Sequence, residues 1–137
     1  MGRHVTIDAH YHGKGPILYS WHPSSHFVAT VGTTKIVHIF DCKGQLMDKF
    51  VPGGTCIALE WDISGETLAI LQTGVPQEIV LWQFESKEEQ RLELNIKEPV
   101  LMKWSRDGKL LAVGTARGEV RHEWACRRKS NKIGGHI

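Results

Sequence analysis

The sequence predicts an all-β fold built from three consecutive four-stranded antiparallel units, and two observations support this prediction. First, residues 100–124 read as three strands, because turn-forming residues interrupt the apolar runs at 105–108 and at 115–118. Second, this pattern occurs three times in the 137-residue chain. Three tryptophans open equivalent pentapeptides at intervals of 40 and 43 residues: Trp21, Trp61 and Trp104. We therefore expect a stack of repeated units rather than one continuous sheet.

The middle strand of each unit indicates how the units pack. Residues 109–114 form an apolar run that lacks the alternation of a half-exposed strand, so this strand is expected to be covered on both faces. The turn before it contains Asp107 and Gly108, which suit a tight hairpin because glycine adopts positive φ and the aspartate bonds to nearby backbone. A period of about 40–45 residues with four strands per unit is typical of WD40 β-propeller blades.

The number of units predicts an incomplete propeller. Propellers are typically built from about four to eight blades, and this sequence contains three. Because a repeat unit does not bury its apolar faces alone, we interpret residues 1–137 as one domain, the N-terminal portion of a truncated propeller. Residues 134–137 resemble the Gly-His pair that opens a following repeat. The alternative is that two chains pair into a six-bladed ring.

Each blade is predicted to contain four strands, and a short segment precedes the first blade. Within residues 3–12, a strand-like piece at 5–7 is a possible closing strand of the last blade. The three blades are predicted at residues 16–50, 55–96 and 99–133. Their strands are predicted at 17–21, 27–32, 35–41 and 45–50; at 55–61, 67–72, 78–84 and 91–96; and at 100–104, 109–114, 119–124 and 128–133. The charged run at 85–90 is predicted to be an exposed hairpin loop.

Composition and charge exclude several classes of protein. The 17 basic and 15 acidic side chains leave a net charge of +2, which gives no field for nucleic-acid binding. Three isolated cysteines form no C-x-x-C motif and are expected to be reduced thiols: Cys42, Cys56 and Cys126. No apolar run approaches the roughly 20 residues of a membrane span, and the polar start is not a secretory signal. We therefore expect a soluble, cytoplasmic protein.

The sequence predicts no catalytic residue, no cofactor and no metal site. Two pairs of histidines suggest zinc, His10 with His12 and His22 with His26, but further ligands are not at suitable spacing. Surface or turn positions are therefore the preferred interpretation of these histidines. Serines in the blade turns are explained by turn chemistry, and no nucleophile or phosphate-loop motif is present. We therefore expect that the protein is not an enzyme.

Two features near the ends of the sequence can each be interpreted in two ways. The basic cluster at 127–132 is interpreted as the exposed edge of a fourth strand, with a binding site for an anionic partner as the alternative. Residues 1–6 match the M-G-x-x-x-[ST] pattern for myristoylation of Gly2. The alternative for this segment is the strand at 5–7, which holds Gly2 close to the propeller wall.

The repeats also predict which residues pack and which contact partners. Five tryptophans recur in the blades and are expected to be packing anchors: Trp21, Trp61, Trp82, Trp104 and Trp124. Loops that join one blade to the next, and loops before each third strand, usually line one face of a propeller. Seven residues in these loops are the candidate partner contacts: Lys35, Pro52, Gly53, Gly54, Gln77, Lys97 and Glu98.

The repeats depart from the usual WD40 blade at one position. WD40 blades often contain a network of Trp, Ser or Thr, His, and an Asp in the turn before the third strand. Residues 33–34, 74–76 and 116–118 replace that Asp here, so stability is expected to depend on apolar packing instead. Several segments match a known pattern in order and spacing: 15–17 with Trp21, 36–41 with 44–45, 52–53 leading to 58–62, 68–70, 81–82, and Trp104 with 111–115 and Gly118. In these segments the chain resembles the degenerate WD-repeat subunits of the intraflagellar transport complex A. Residues 120–124 are more polar than the third strand of this pattern.

This resemblance implies a function that composition and periodicity do not provide. It implies two N-terminal propellers followed by a helical-repeat solenoid, at the cilium or flagellum and its basal body. The role would be that of a non-enzymatic scaffold in retrograde transport and in the import of membrane cargo. The implied partners are other complex A subunits, dynein-2 and tubby-like cargo adaptors. The alternative is a WD40 adaptor of another assembly, such as a ubiquitin-ligase substrate receptor or a vesicle coat.

Overall fold

The structure is a computed structural model, and it describes residues 5–124. Within this range the strands form three antiparallel sheets, with the orders β1-β2-β3-β4, β5-β6-β7-β8 and β11-β10-β9. We call these sheets blades one, two and three. The elements are α1 Ala9–His12, β1 Leu18–Trp21, β2 Phe27–Val31, β3 Val37–Asp41, β4 Leu46–Phe50, β5 Thr55–Trp61, β6 Thr67–Thr73, β7 Glu78–Gln83, β8 Glu89–Glu93, β9 Pro99–Trp104, β10 Leu110–Thr115 and β11 Val120–Trp124. The all-β class and the three antiparallel blades predicted from the sequence are confirmed.

Most predicted strands agree with the observed bounds to within two residues, and β8 is the main exception. This strand covers Glu89–Glu93 instead of the predicted 91–96. The shift arises because Gln83 N–H donates to the carbonyl of Glu88, which closes the hairpin early and pairs Trp82 with Glu89. The predicted fourth strand of blade three, the Gly-His segment, the basic cluster and Gly2 lie outside the described residues.

The N-terminal segment differs from its predicted strand. Residues 5–8 have no regular secondary structure, and Ala9–His12 form a single helical turn. The Asp8 carboxylate accepts from the N–H of His10 at 3.2 Å, and Gly13 N–H donates to the carbonyl of Ala9 at 2.7 Å. A closing strand takes its hydrogen bonds from a neighbouring blade. Among the described residues, local capping and packing on blade one satisfy the segment instead.

Two apolar clusters join the blades. The first lies between blades one and two and includes Val31, Ile39, Leu68 and Trp82. The second lies between blades two and three and includes Leu71, Leu81, Leu111, Met102 and Val113. In β6 the consecutive residues 68–71 are fully buried, because alternate side chains enter opposite clusters. Cover on both faces is therefore observed for β6. In β10, the strand for which it was predicted, Leu111 and Val113 enter the second cluster, whereas Leu110 and Ala112 on the other face are half-buried, because no described blade packs against that face.

Each junction between blades is fixed by a tryptophan at the end of the first strand. The indole N–H of Trp61 donates to the carbonyl of Ser20 at 3.1 Å, and that of Trp104 donates to the carbonyl of Glu60 at 2.9 Å. Ser20 and Glu60 are equivalent, since each precedes the tryptophan of its own blade. Their side chains also accept from the backbone N–H of the docking tryptophan, at 3.3 Å in both junctions. The repeat in sequence thus produces a repeated head-to-tail contact.

The predicted packing role is confirmed for three of the tryptophans. Trp61 and Trp104 dock the blades, and buried Trp82 stacks on Phe50 with ring centroids 4.7 Å apart. Trp21 belongs to blade one and is 53% exposed, because no described blade packs against that side of β1. The side chain of Trp124 lies outside the described residues.

The hairpin between β7 and β8 contributes to the first junction as well. Lys87 has a φ of 66° in this turn, and its ammonium lies 3.0 Å from the carboxylate of Asp48 on β4. The same ammonium lies 5.2 Å from the centroid of the Trp82 ring. The charged run at 85–90 is thus exposed, as predicted, but its last two residues belong to β8 and its single lysine links blade two to blade one.

Candidate interaction surface at the loop end of the blades

The loops between blades and the loops before each third strand meet at the same end of the sheets, which we call the loop end. Three contacts show this arrangement. The N–H of Thr34 donates to the carbonyl of His12 at 3.2 Å, and that of Ala116 donates to the carbonyl of Glu98 at 2.9 Å. The N–H of Gly54 donates to the side-chain oxygen of Gln72 at 3.1 Å. In every blade, the incoming segment is therefore tied to the loop end of that blade.

In blade one, two buried histidines fix the incoming segment. His12 Nε2 and the hydroxyl of Thr30 share a hydrogen bond of 2.7 Å, and both side chains are buried. The ring of His38 lies edge-on to His12 with centroids 5.8 Å apart, and Tyr11 packs on His38 and Phe40. We call His12, Thr30 and His38 the histidine cluster. Within residues 5–124, Nδ1 of His38 is buried without a hydrogen-bond partner.

Burial sets the protonation of the histidine cluster. It lowers the pKa of His12 by removing the imidazolium from water. It also lowers the pKa of His38, and the positive charges of His12, Lys49 and His10 add to this effect. Both rings are therefore neutral at pH 7, which suits a hydrogen bond to a neutral hydroxyl.

In blade two, an ion pair fixes the incoming segment. The Arg91 guanidinium lies 2.6 Å from the buried carboxylate of Glu78 and donates to the carbonyl of Pro52 at 2.8 Å. The side-chain amide of Gln72 donates to the same carboxylate at 3.0 Å. We call Gln72, Glu78 and Arg91 the arginine cluster. The hydrogen bond to Glu78 is the main cause that raises the pKa of Arg91, so the guanidinium stays charged.

These clusters add polar contacts to the apolar packing on which the blades were expected to depend. Both lie where the incoming segment meets the second and third strands, and each is built from residues of three segments. In blade three the corresponding contact is weaker: Arg117 lies 3.5 Å from Glu98, and both side chains are 58% exposed. A polar network is therefore present in two blades, with residue types that differ from the usual pattern.

The candidate partner contacts occupy different parts of the loop end. Lys35, Gly53, Lys97 and Glu98 are exposed. Pro52 is buried, and Gly54 approaches Gln72 and Thr73 so closely that a Cβ there would lie 2.9 Å from the carbonyl oxygen of Thr73. These two residues are therefore packed within the loop itself.

Gln77 is likewise occupied within the protein. Its side-chain amide donates to the carbonyl of Ile96 at 2.6 Å, which ties the third strand of blade two to the segment that enters blade three. Gln77 thus lies close to the segment that enters blade three, whereas Lys35 lies on blade one. The predicted set therefore forms a series of positions along the loop end and does not converge on one point.

Sequence reasoning missed the residues that position these loops. The sequence predicts a surface or turn position for His12, and this prediction is wrong: His12 is buried and forms a hydrogen bond with Thr30, 18 positions away. The sequence feature that could have identified them is a polar residue at the end of an apolar strand, as at Gln72 and Glu78. His22 also has a structural role, because its Nε2 donates to the carbonyl of Gly65 in the next blade at 3.0 Å.

Other kinds of site find no support among the described residues. No three His, Cys, Asp or Glu side chains within residues 5–124 are grouped so that they could hold a metal ion. None of the helices in the described part has the length and apolar character needed to cross a bilayer. Cys42 and Cys56 are free thiols.

Comparison with known proteins decides the family. Residues 17–137 match the family described as the WDR19 first β-propeller. This chain belongs to the WDR19 family. It is 34% identical over 115 residues to WD repeat-containing protein dyf-2 of Caenorhabditis elegans, and 32% identical over 107 residues to WD repeat-containing protein 19 of Homo sapiens. These alignments cover 80% and 77% of the chain.

Membership of the WDR19 family confirms the resemblance inferred from the order and spacing of the repeats. The chain spans 8% of the length of the two relatives named above. A chain in a crystal structure of the mitotic checkpoint complex has a similar fold, with a TM-score of 0.70 over 85% of this chain and 39% of its own length. At 15% identity this likeness shows the fold alone.

Proposed function

We propose that this chain acts as part of a non-enzymatic WD40 scaffold in the intraflagellar transport complex A. Its work would be retrograde transport and import of membrane cargo at the cilium or flagellum and basal body, carried out through protein contacts. Membership of the WDR19 family is the single observation that carries this proposal. The family resemblance supplies the partner classes: other complex A subunits, dynein-2 and tubby-like cargo adaptors.

The architecture supports a binding role rather than a catalytic one. The blades hold their loop end with the histidine cluster and the arginine cluster, so exposed loop residues are presented on a rigid base. Rigid presentation favours binding because less conformational entropy is lost when a partner docks. We propose that Lys35, Gly53, Lys97 and Glu98 contact partners, whereas Pro52, Gly54 and Gln77 position the loops that bear them.

The test is co-purification. We expect the full-length protein that contains this chain, tagged and isolated from ciliated cells, to bring down complex A subunits in stoichiometric amounts. The tagged scaffold from non-ciliated cells serves as the control. Recovery with a ubiquitin ligase or a vesicle coat, and without complex A subunits, would overturn the proposal in favour of an adaptor of that assembly.

A further inference from the structure

A cleft of about 290 Å³ opens between blades one and two at the loop end, and we call it the junction cleft. Its lining comes from the start of the first strand of each blade and from the loop before β3. The lining includes Pro16, Leu18, Val31, Thr33, Lys35 and Thr55. Pockets for small molecules have volumes of about 300–1,000 Å³. The junction cleft is therefore sized for one or two side chains of a peptide rather than for a cofactor.

The walls of the junction cleft are held in place before any ligand arrives. Val31 is 2% exposed and belongs to the apolar cluster between the two blades. The hydroxyl of Thr33 donates to the carbonyl of His12 at 3.0 Å. Lys35 adopts a φ of 64°, and its N–H donates to the carbonyl of Gly32 at 3.1 Å, which fixes the loop that carries it. Binding at this cleft thus requires little ordering of the protein.

The charged side chain at the mouth of the junction cleft is positive. Lys35 lines the cleft and is exposed. Lys35 forms no ion pair with any residue in the described range, and no carboxylate side chain lines the cleft. Apolar side chains with an unpaired cation at their edge are complementary to an aliphatic side chain beside a carboxylate.

Cys56 also lines the junction cleft, and its thiol is not in the form that reacts covalently with a ligand. The thiol donates to the carbonyl of Ala58 at 3.4 Å, and burial raises the pKa of Cys56 to about 12. Because the thiolate is the reactive form of cysteine, this side chain stays neutral and unreactive at pH 7.

We propose that the junction cleft binds an acidic segment of a partner protein, with an aliphatic side chain against Pro16 and Leu18 and an adjacent carboxylate at Lys35. This inference deepens the proposed function and rests on it, since it takes the ligand to be a protein segment. The volume of the cleft fits a side chain, its apolar lining favours an aliphatic one, and Lys35 at its edge favours an acidic residue next to it. A basic segment is repelled by Lys35.

The test measures peptide binding to the full chain by fluorescence anisotropy. Three probes share the same neutral dye and glycine flanks and differ in the core: Glu-Leu-Glu, Glu-Ser-Glu and Lys-Leu-Lys. We expect the Glu-Leu-Glu probe to bind at least about tenfold more tightly than either other probe. Its affinity should also fall with added salt, because the charge of Lys35 contributes to the attraction.

Variants locate the binding. Lys35→Glu should weaken the Glu-Leu-Glu probe by about tenfold, and Thr55→Trp should abolish binding because the indole fills the cleft. Lys43→Glu is the matched control, since Lys43 is exposed in the β3–β4 turn at the opposite end of blade one. Circular dichroism of each variant checks that the strands persist, and Lys35→Gln provides a milder change of charge at the same backbone conformation.

The outcomes separate the two proposals. Equal binding of the acidic and basic probes, absence of binding by all three, or insensitivity to both Lys35→Glu and Thr55→Trp would overturn the junction cleft as the site. If co-purification with complex A subunits persists in those cases, the proposed function stands without the cleft. If the probe binds as expected but a different assembly co-purifies, the cleft stands and the proposed function fails.

Discussion

Blades one and two each attach their incoming segment at the loop end, but they do so with different side chains. In blade one a neutral imidazole and a hydroxyl join residues of the N-terminal segment and β2, while His38 on β3 packs beside them. In blade two a carboxylate on β7 meets a guanidinium on β8, which also holds the carbonyl of Pro52. Both arrangements attach the incoming segment to the blade, so the repeat preserves a geometric requirement while the side chains vary.

The two clusters therefore respond to different perturbations. The arginine cluster contains a guanidinium whose pKa is raised by its hydrogen bond to Glu78, and loss of one partner of the ion pair leaves the other poorly solvated. The histidine cluster contains no full charge at pH 7, but acid introduces one into a buried site. Two of the three blades therefore have a polar anchor at the loop end although the usual residues are missing.

The largest effect is expected from Arg91→Met in blade two. This change leaves the buried carboxylate of Glu78 with only Gln72 and frees the carbonyl of Pro52. We expect the free energy of unfolding to fall by about 2–3 kcal/mol, below the usual cost of breaking a buried pair because the Arg91 side chain is 40% exposed. Urea denaturation of the chain measures it.

Lys103→Met is the matched control for Arg91→Met. It also breaks an ion pair, with Glu60 at 3.2 Å, but the Lys103 side chain is 74% exposed. A loss of at most about 1 kcal/mol is expected there. Equal losses in the two variants would show that the arginine cluster is an ordinary surface ion pair.

A smaller effect is expected from Thr30→Val in blade one. Valine keeps the shape of threonine but leaves His12 Nε2 buried without its 2.7 Å partner. The free energy of unfolding should fall by about 1–2 kcal/mol. Thr6→Val, at an exposed position, should change it little. A neutral result for Thr30→Val would contradict the anchoring role of the histidine cluster.

The smallest effect at pH 7, and the most specific one, is expected from His38→Phe. The folded protein has a lowered pKa at His38, so the unfolded chain binds the proton more readily once the pH falls below the ordinary histidine pKa of about 6.5. Stability contributed by the neutral ring is therefore present above this pH and is lost as the pH falls through it.

Phenylalanine removes this titration and also the unpartnered Nδ1, so His38→Phe should flatten the loss of stability between about pH 7 and pH 5. His26→Gln, in an exposed turn, should leave the pH profile of the unmodified chain unchanged. Melting temperatures across this pH range provide the measurement. A variant that stays as acid-sensitive as the unmodified chain would exclude His38 as a source of the sensitivity.

The sequence could predict the blades but not their polar anchors. Tryptophan spacing and the Asp107-Gly108 turn place the strands because these signals are local, and β5 agrees with its predicted bounds at both ends. The arginine cluster depends on residues that are 6 and 13 positions apart, which meet only after three strands have paired.

The N-terminal segment also shows that a local sequence pattern does not determine tertiary contacts. Residues 5–7 have the composition of a strand, but strand formation requires a partner edge. Among the described residues the chain provides helical capping by Asp8 and aromatic packing of Tyr11 instead. For the candidate surface, the sequence located the loops correctly, whereas exposure of individual side chains depended on hydrogen bonds that it does not reveal.

The most direct test of the proposed binding role compares the two ends of the blades in the full-length protein. Lys35→Glu with Lys97→Glu reverses two exposed charges at the loop end, and Lys43→Glu with Lys109→Glu does so at the opposite end. Quantitative proteomics after co-purification should show a severalfold loss of partner subunits for the first pair and wild-type recovery for the second. Equal recovery from both pairs, or loss confined to the second, would contradict the assignment of the loop end as the partner-binding surface.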